Sequence, residues 1–332
     1  MLSKYDAESG LTALRAVAEA TRLRVLFLLM QCELTVKDLT KILGQSQPRI
    51  SRHLKLLHQA GLIERHREGS WVYFRLADSG FGAGLAGHVL STFDEADPIF
   101  SRDRDRLATL LKARAAAAQA YFERNAADWD RLRSLYVDEA VVEEAMRNAV
   151  GSELSAFMVD LGTGTGRMLE LFSDTYKKGL GIDANKAMLS YARAKLDQLT
   201  HAGVQVREGD IYHLPIEDDA ADLVLMHQVL HYLQDPQSAL IEAGRILGAE
   251  GRLLVADFAP HDLDFLREEF AHERLGFSDG QMRQWMHEAG LEVTRHESLE
   301  SEQTTGSGQL TVSLWIAAKS DKAPLNTNRT GS

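Results

Sequence analysis

Apolar positions change their spacing twice along this chain. In "SQPRISRHLKLLHQAG", Ile50, Leu54 and Leu57 fall at i, i+4 and i+7, so one face of a helix is buried. The opposite face carries Gln47, Arg49, Ser51, Arg52, Lys55 and Gln59, with His53 and His58 in the same stretch. Ser46 is the expected cap, and Pro48 is tolerated in the first turn. Just upstream, "TVKDLTKILG" predicts a short helix with Thr35 as cap, Asp38 as capping-box acid and Gly44 as stop. Downstream, "LIERHREGSWVYFRL" alternates, which predicts two strands turning at Glu68-Gly69-Ser70 with Arg65 and Arg67 near the tip. Two short helices with a tight turn, the second basic outside, have helix-turn-helix geometry, and the basic hairpin adds a wing.

The spacing then becomes that of one long helix. Asp97-Pro98 supplies a cap and first-turn pair, and "IFSRDRDRLATLLKARAAAAQAYFERN" is alanine-rich, with Leu107, Leu110 and Leu111 continuing toward Tyr121 and Phe122. This predicts a rod joining two domains. Beyond it, short apolar runs alternate with helical segments. "AFMVDL", "GLGID", "VQVREGDI", "ADLVLMHQVLHYL", "GRLLVADF", "LEVTRHE" and "LTVSLWIAAK" predict seven strands, several of them buried on both faces.

Composition narrows the class. The 332 residues suit two domains and a connector, and no uncharged apolar run is long enough to span a bilayer. The start "MLSKYDAESG" lacks the apolar core of a secretory signal, and the single Cys32 fits a reducing cytoplasm. Net charge is −11, which taken alone argues against nucleic acid. Yet residues 35–75 carry eight basic and three acidic side chains, a local +5, whereas residues 101–332 carry 25 basic and 37 acidic. A basic patch on an acidic chain is the footprint of a DNA-reading surface.

"ATRLRVLFLL…ELTVKDLTKILGQSQPRISRHLKLLHQAGLIERHREGSWVYFRL" resembles the ArsR/SmtB winged-helix repressors over about residues 10–95. The resemblance implies a homodimer on an inverted-repeat operator in double-stranded DNA, paired through helices at 11–29 and 81–93. Gln47, Arg49, Ser51, Arg52, His53 and Lys55 would read the DNA from the helix, and Arg65 and Arg67 from the wing. One departure concerns the signal. Arsenic-sensing members carry Cys-x-Cys where this chain has Thr35 and Lys37, and neither offers a thiolate. The 12 histidines form no recognisable ligand set, and for His53, His58 and His66 solvation or phosphate contact is expected. The signal is therefore expected to enter elsewhere.

Between "AFMVDL" and "RMLELFSDTY", read as strand and helix, Gly162, Gly164 and Gly166 let the backbone turn tightly and approach a ligand. A dinucleotide fingerprint needs glycine at 167, where Arg167 stands, and no P-loop Lys-Ser/Thr follows. A nucleoside without a pyrophosphate suits this spacing. Asp183, 21 residues past Gly162, is placed to take ribose hydroxyls. Asp210 in Gly209-Asp210-Ile211 is placed to accept from an adenine amino group beside an aliphatic side chain, and His227 closes the fourth strand.

These residues resemble the class I S-adenosylmethionine-dependent methyltransferases over about residues 120–319. Asp160 to Gly166, including Thr163, matches that family's first motif, and Asp183 and Asp210 match its next two acidic strand ends. The resemblance implies that S-adenosylmethionine or S-adenosylhomocysteine is bound there. Ala184 and Met188 join the cofactor-binding set, and Trp129 and Arg133 would close over the ligand. His227, His231, Tyr232, Asp257, His261 and His272 are candidates for an acceptor pocket, but no fixed catalytic dyad is required. The cysteine trio of arsenite methyltransferases is absent.

The expected fold is an α+β winged helix-turn-helix domain (1–95), a helical connector (96–119) and an α/β Rossmann-like seven-stranded class I methyltransferase domain (120–319), with a disordered tail (320–332). This order resembles S-adenosylhomocysteine-responsive repressors. It implies a cytoplasmic DNA-binding regulator that senses S-adenosylhomocysteine or S-adenosylmethionine. The alternative is an active small-molecule methyltransferase with a regulatory DNA-binding domain.

Overall fold

The structure, a computed structural model, describes residues 6–68, 71–77, 80–94, 96–129, 138–197, 203–300 and 310–320. The expected turn residues Gly69 and Ser70, the candidate Arg133 and the tail from 321 lie outside the described residues. The chain divides into two compact units, Met1–Ala116 and Ala117–Ser332.

The first unit runs α1 (Ala7–Val17), α2 (Ala20–Gln31), β1 (Leu34–Thr35), α3 (Val36–Leu43), α4 (Gln47–Gln59), β2 (Ile63–Glu68), β3 (Trp71–Leu76) and α5 (Gly80–Ser91). Its sheet is antiparallel in the order β1-β3-β2, with Leu34 and Arg65 on either side of Phe74. The segment 11–29, expected as one pairing helix, is two. Ala18 N–H donates to Leu14 O and ends α1, and Glu19 then caps α2 by accepting from Arg22 N–H at 2.9 Å. The α3 capping box is present: the Thr35 hydroxyl faces Asp38 N–H, and Asp38 accepts from Thr35 N–H at 3.0 Å. Gly44 closes α3 at φ +64°. Ser46 occupies the cap position of α4 without a side-chain hydrogen bond, and Pro48 lies in the first turn.

The long helix, α6 (Pro98–Asn125), begins where Asp97 accepts from Ile99 N–H at 2.8 Å. Its first half is built into the core of the first unit. Phe100 stacks on Phe27 at 4.6 Å, and Leu107 is buried in the same cluster. Asp103, fully buried, receives Nε and Nη2 of Arg24 at 2.5 and 2.7 Å. Arg114 pairs with buried Asp38 at 2.6 Å, and Arg106 donates to Ile42 O at 2.9 Å. The division between the units falls within α6, after Ala116.

The second unit continues with α7 (Glu139–Val150), β4 (Ser155–Leu161), α8 (Arg167–Leu171), β5 (Tyr176–Asp183), α9 (Lys186–Leu196), β6 (Val204–Glu208), β7 (Ala221–His227) and α10 (Pro236–Ile246). It ends with β8 (Leu247–Phe258), α11 (Phe265–Glu269), α12 (Asp279–Glu288), β9 (Leu291–Glu300) and β10 (Thr311–Lys319). The seven strands stand in the order β6-β5-β4-β7-β8-β10-β9. The first five are parallel, and β10 runs antiparallel to both its neighbours. Successive residues enter opposite cores: Leu223, Leu225, Leu254 and Ala256 on one face, Val224, Met226, Leu253 and Val255 on the other. Helices cover both faces, which is why these strands read as continuous apolar runs. This is a Rossmann-like α/β sheet.

Three elements are shorter than their patterns suggest. The helix after the glycines stops at Leu171, because Thr175 N–H turns back to Phe172 O and β5 begins at once. The strand β6 stops at Glu208, because Gly209 N–H donates to Asp183 O and Asp210 bridges to His213. The run from Ala221 leaves the sheet at His227, where Gln228 takes φ +50°, and Leu230–Tyr232 form a 3-10 turn.

Candidate functional site

On α4 the apolar stripe Ile50, Leu54 and Leu57 is buried, and Gln47, Arg49, Ser51, Arg52, Lys55 and Gln59 are exposed. Arg65 and Arg67 are exposed on β2. His53 is half-buried, with Nδ1 3.5 Å from a carboxylate oxygen of Glu19, and burial lowers its pKa. His66 lies 3.5 Å from Glu33 and stacks on Tyr73. These two rings face carboxylates, a partnership that sequence patterning missed because Glu19 and Glu33 lie outside the helix and hairpin. Thr35 is buried in its capping box, and the Lys37 ammonium stands 5.7 Å from the Trp71 ring centroid.

In the second unit, β4 lies between β5 and β7, so strand order reverses at its C-terminal end and opens a crevice there. The glycine loop fills this place. Gly162, Gly164 and Gly166 have φ of +73°, +51° and +80°, in the left-handed region where a side chain is strained. A Cβ on Gly162 would lie 2.3 Å from Val229 Cγ2, and one on Gly164 would lie 3.7 Å from the indole nitrogen of Trp129. Thr163 Oγ1 donates to buried Asp160 at 2.6 Å, which ties the loop to β4.

Asp183, ending β5, accepts from Gly164 N–H and Asn185 N–H, both at 2.8 Å. Burial raises its pKa, and these two hydrogen bonds pull the other way. Asn185 in turn caps α9 by accepting from the N–H of buried Met188 at 3.0 Å, while Ala184 stays exposed. Gly209 N–H donates to Asp183 O at 3.1 Å, bringing the end of β6 beside the end of β5. Asp210 is exposed and accepts from Tyr212 N–H at 3.0 Å, and Ile211 is half-buried. Arg167 is fully engaged: it grips Glu143 through two hydrogen bonds of 2.7 and 2.6 Å and reaches Glu170 at 2.8 Å. Arg167, which follows the loop in the chain, is thus committed to protein carboxylates rather than offered to a pyrophosphate.

The acceptor candidates separate into two groups. His227 is buried with Nε2 3.7 Å from Glu139. His231, Tyr232 and His272 come together around a small cavity of about 30 Å³ that Trp129, Gln228 and Phe258 also line. Asp257 stands behind His231, with Oδ1 2.7 Å from its Nδ1. His261 lies edge-on to Phe258, outside the lining. Trp129 touches both the glycine loop and the cavity, and Val229, packed on Gly162, sits between Gln228 and the 3-10 turn.

Comparison with known proteins divides the chain in the same way. Residues 19–65 match the family model described as bacterial regulatory protein, arsR family, and residues 159–255 match a methyltransferase domain model. The arsenical resistance operon repressor of Escherichia coli is 47% identical over 64 residues, covering 19% of this chain and 55% of that protein. An uncharacterized methyltransferase of Bacillus subtilis is 27% identical over 144 residues, covering 42% of this chain and 57% of its own length. The chain spans little more than half the length of these curated relatives. A chain from the solved Haloferax volcanii complex containing the Trm112 methyltransferase activator shares the fold, with a TM-score of 0.50 at 23% identity over 59% of this chain and 97% of that one.

Proposed function

From a chain that joins an ArsR-type winged helix to a class I methyltransferase domain, we propose a transcriptional repressor that senses S-adenosylhomocysteine or S-adenosylmethionine in the cytoplasm. It binds an inverted-repeat operator in double-stranded DNA as a homodimer. The observation that carries this reading is the solvent-facing basic face of α4, with Arg49, Arg52 and Lys55 exposed opposite a fully buried apolar stripe, on the same chain as the glycine cradle. Arg65 and Arg67 extend the basic surface along the wing. Leu11 and Leu14, each about half exposed on α1, give an apolar face suited to a second copy. No helix among the described residues is long and apolar enough to cross a membrane.

In the proposed cofactor site, Asp160 to Gly166 cradles the ligand, Asp183 takes the ribose hydroxyls, and Asp210 with Ile211 takes the adenine. Trp129 covers the loop, with Arg133 as the proposed partner of the ligand carboxylate. Ala184, Met188, Gly209 and His227 shape the remaining walls. α6 contributes Phe100 and Leu107 to the core of one unit and places Tyr121 and Phe122 beside Trp129 in the other. Through it, ligand binding would be felt at the recognition helices. The test is an operator titration with S-adenosylhomocysteine, with S-adenosylmethionine and with neither, alongside a search for transferred methyl label. Operator affinity that differs between these conditions supports the sensor. Equal affinity with turnover makes the protein a tethered enzyme, a second reading favoured by the cavity at the glycine loop.

A further inference from the structure

Two polar side chains of α6, Arg114 and Gln119, are gripped by buried partners on either side of the division between the units. Within the first unit, Arg114 Nη2 donates to Oδ1 of Asp38 at 2.6 Å. Asp38 is 1% exposed, and its other oxygen closes the capping box of α3, the first helix of the helix-turn-helix. Arg106, earlier on α6, donates to Ile42 O near the far end of α3, so α6 holds that helix at both ends. Within the second unit, Nδ2 of Asn185 donates to Gln119 Oε1 at 2.9 Å and to Gln119 O at 3.3 Å. Asn185 is 5% exposed and its remaining groups are engaged. Its N–H donates to Asp183 Oδ1 at 2.8 Å, and its Oδ1 accepts from Met188 N–H at 3.0 Å. The carboxylate proposed for the ribose is thus a single residue, Asn185, away from α6.

Apolar packing alone would attach a connector. Hydrogen bonds weaken steeply with distance and angle, so these also fix the rotation and axial position of α6. Between Arg114 and Gln119 the chain is four alanines, Ala115 to Ala118, the best helix formers, and α6 runs through them unbroken. A stiff helix transmits a rotation that a flexible linker would absorb. Releasing the Gln119 side chain leaves the buried Asn185 amide short of an acceptor, a cost that separates latched and released arrangements into discrete states. We propose that Gln119 and Arg114 are the two ends of a latch that carries cofactor occupancy to the helix-turn-helix. A ligand hydrogen-bonded to Asp183 fixes the turn Asp183-Ala184-Asn185 and favours the latched state, in which Asn185 holds Gln119. Arg114 passes the setting of α6 to Asp38 and so to α3. The latch rests on the reading above, in which Asp183 takes the ribose hydroxyls and ligand binding alters operator binding. Both are positioning residues, acting through Asn185 and Asp38.

The test uses the full-length protein and a DNA duplex that wild type selects from a randomised pool. Duplex affinity is measured with S-adenosylhomocysteine, with S-adenosylmethionine and with neither, and calorimetry gives ligand affinity without DNA. In wild type a ligand should change duplex affinity at least about fivefold, and in Gln119→Leu by less than about twofold. Gln119→Glu keeps an acceptor for Asn185 and should keep the coupling. Ala116→Gly combined with Ala117→Gly leaves both grips in place but softens the helix between them, and should also uncouple. Each variant should keep the wild-type duplex affinity without ligand and the wild-type ligand affinity without duplex. Gln119→Leu and the double glycine variant coupled as strongly as wild type would overturn the latch and leave the sensor reading standing. A Gln119→Leu protein that no longer binds either ligand would make Gln119 a wall of the cofactor site, which overturns the latch as well. One duplex affinity for wild type in all three conditions removes the sensor reading, and the latch with it.

Discussion

Asp183 Oδ2 accepts the N–H of Gly164 at 2.8 Å, so the acid proposed for the ribose is also the strut that holds the glycine loop in place. Asp183→Ala therefore removes two things, the acceptor and the brace. The expected loss of S-adenosylhomocysteine affinity is about 1–3 kcal/mol, the cost of unpaired polar groups. Asp183→Asn keeps an oxygen for Gly164 and should lose less. Calorimetry on both variants checks this, and equal dissociation constants for wild type and Asp183→Ala would remove Asp183 from the site.

The loop's steric demand can be tested separately from its chemistry. A Cβ on Gly162 meets Val229 Cγ2 at 2.3 Å, and its φ of +73° strains any side chain. Gly162→Ala should abolish measurable cofactor binding. Adding Val229→Ala relieves the collision but not the backbone strain, so the double variant should recover part of the affinity. A Gly162→Ala protein that binds like wild type would mean that the loop does not approach the ligand.

Arg52 and Arg65 stand exposed on the recognition helix and the wing. Replacing either with alanine should weaken operator binding and reduce the slope of log affinity against log salt by about one unit, leaving cofactor affinity unchanged. Unchanged operator affinity for both variants at matched salt would contradict the DNA-reading assignment.

How legible all this was depends on how far apart in the chain the partners lie. The α3 capping box spans Thr35 to Asp38, and a local rule found it. The central strands announced themselves because both faces of the sheet are buried there, whereas the edge strands β6 and β9 are largely exposed. Asp103, in contrast, is an aspartate on a helix whose charged pattern resembles a solvated surface, and its burial comes from Arg24, which lies 79 positions away. The pairing of His231 with Asp257 crosses 26 positions and depends on β7 and β8 being neighbours, which only the sheet order supplies. The break at Ala18 was hidden because Glu19 is an uncommon cap.

Arsenite, zinc and cadmium should leave the operator complex intact. Thr35 Oγ1 donates to Asp38 at 2.8 Å inside a buried capping box, and the ammonium of Lys37, beside Trp71, repels a cation. Release of DNA at low micromolar metal, reversed by a chelator, would reopen metal sensing.

His272 makes a prediction about acid stability. The residue is 7% exposed and its pKa is held well below 6.5 by burial, so the folded protein keeps it neutral while the unfolded chain protonates it near the ordinary value. Below about pH 6.5 the unfolded state binds the extra proton, and stability falls as pH falls, at up to about 1.4 kcal/mol per pH unit from this one group. Above that pH both states are neutral and the contribution is flat. His272→Phe keeps the ring beside Phe258 and removes the titration, so its unfolding free energy should lose part of the slope between pH 6.5 and 5. Denaturant unfolding of the second unit's transition at several pH values measures the difference. Parallel curves for wild type and variant across that window would show that His272 is not held neutral in the folded protein.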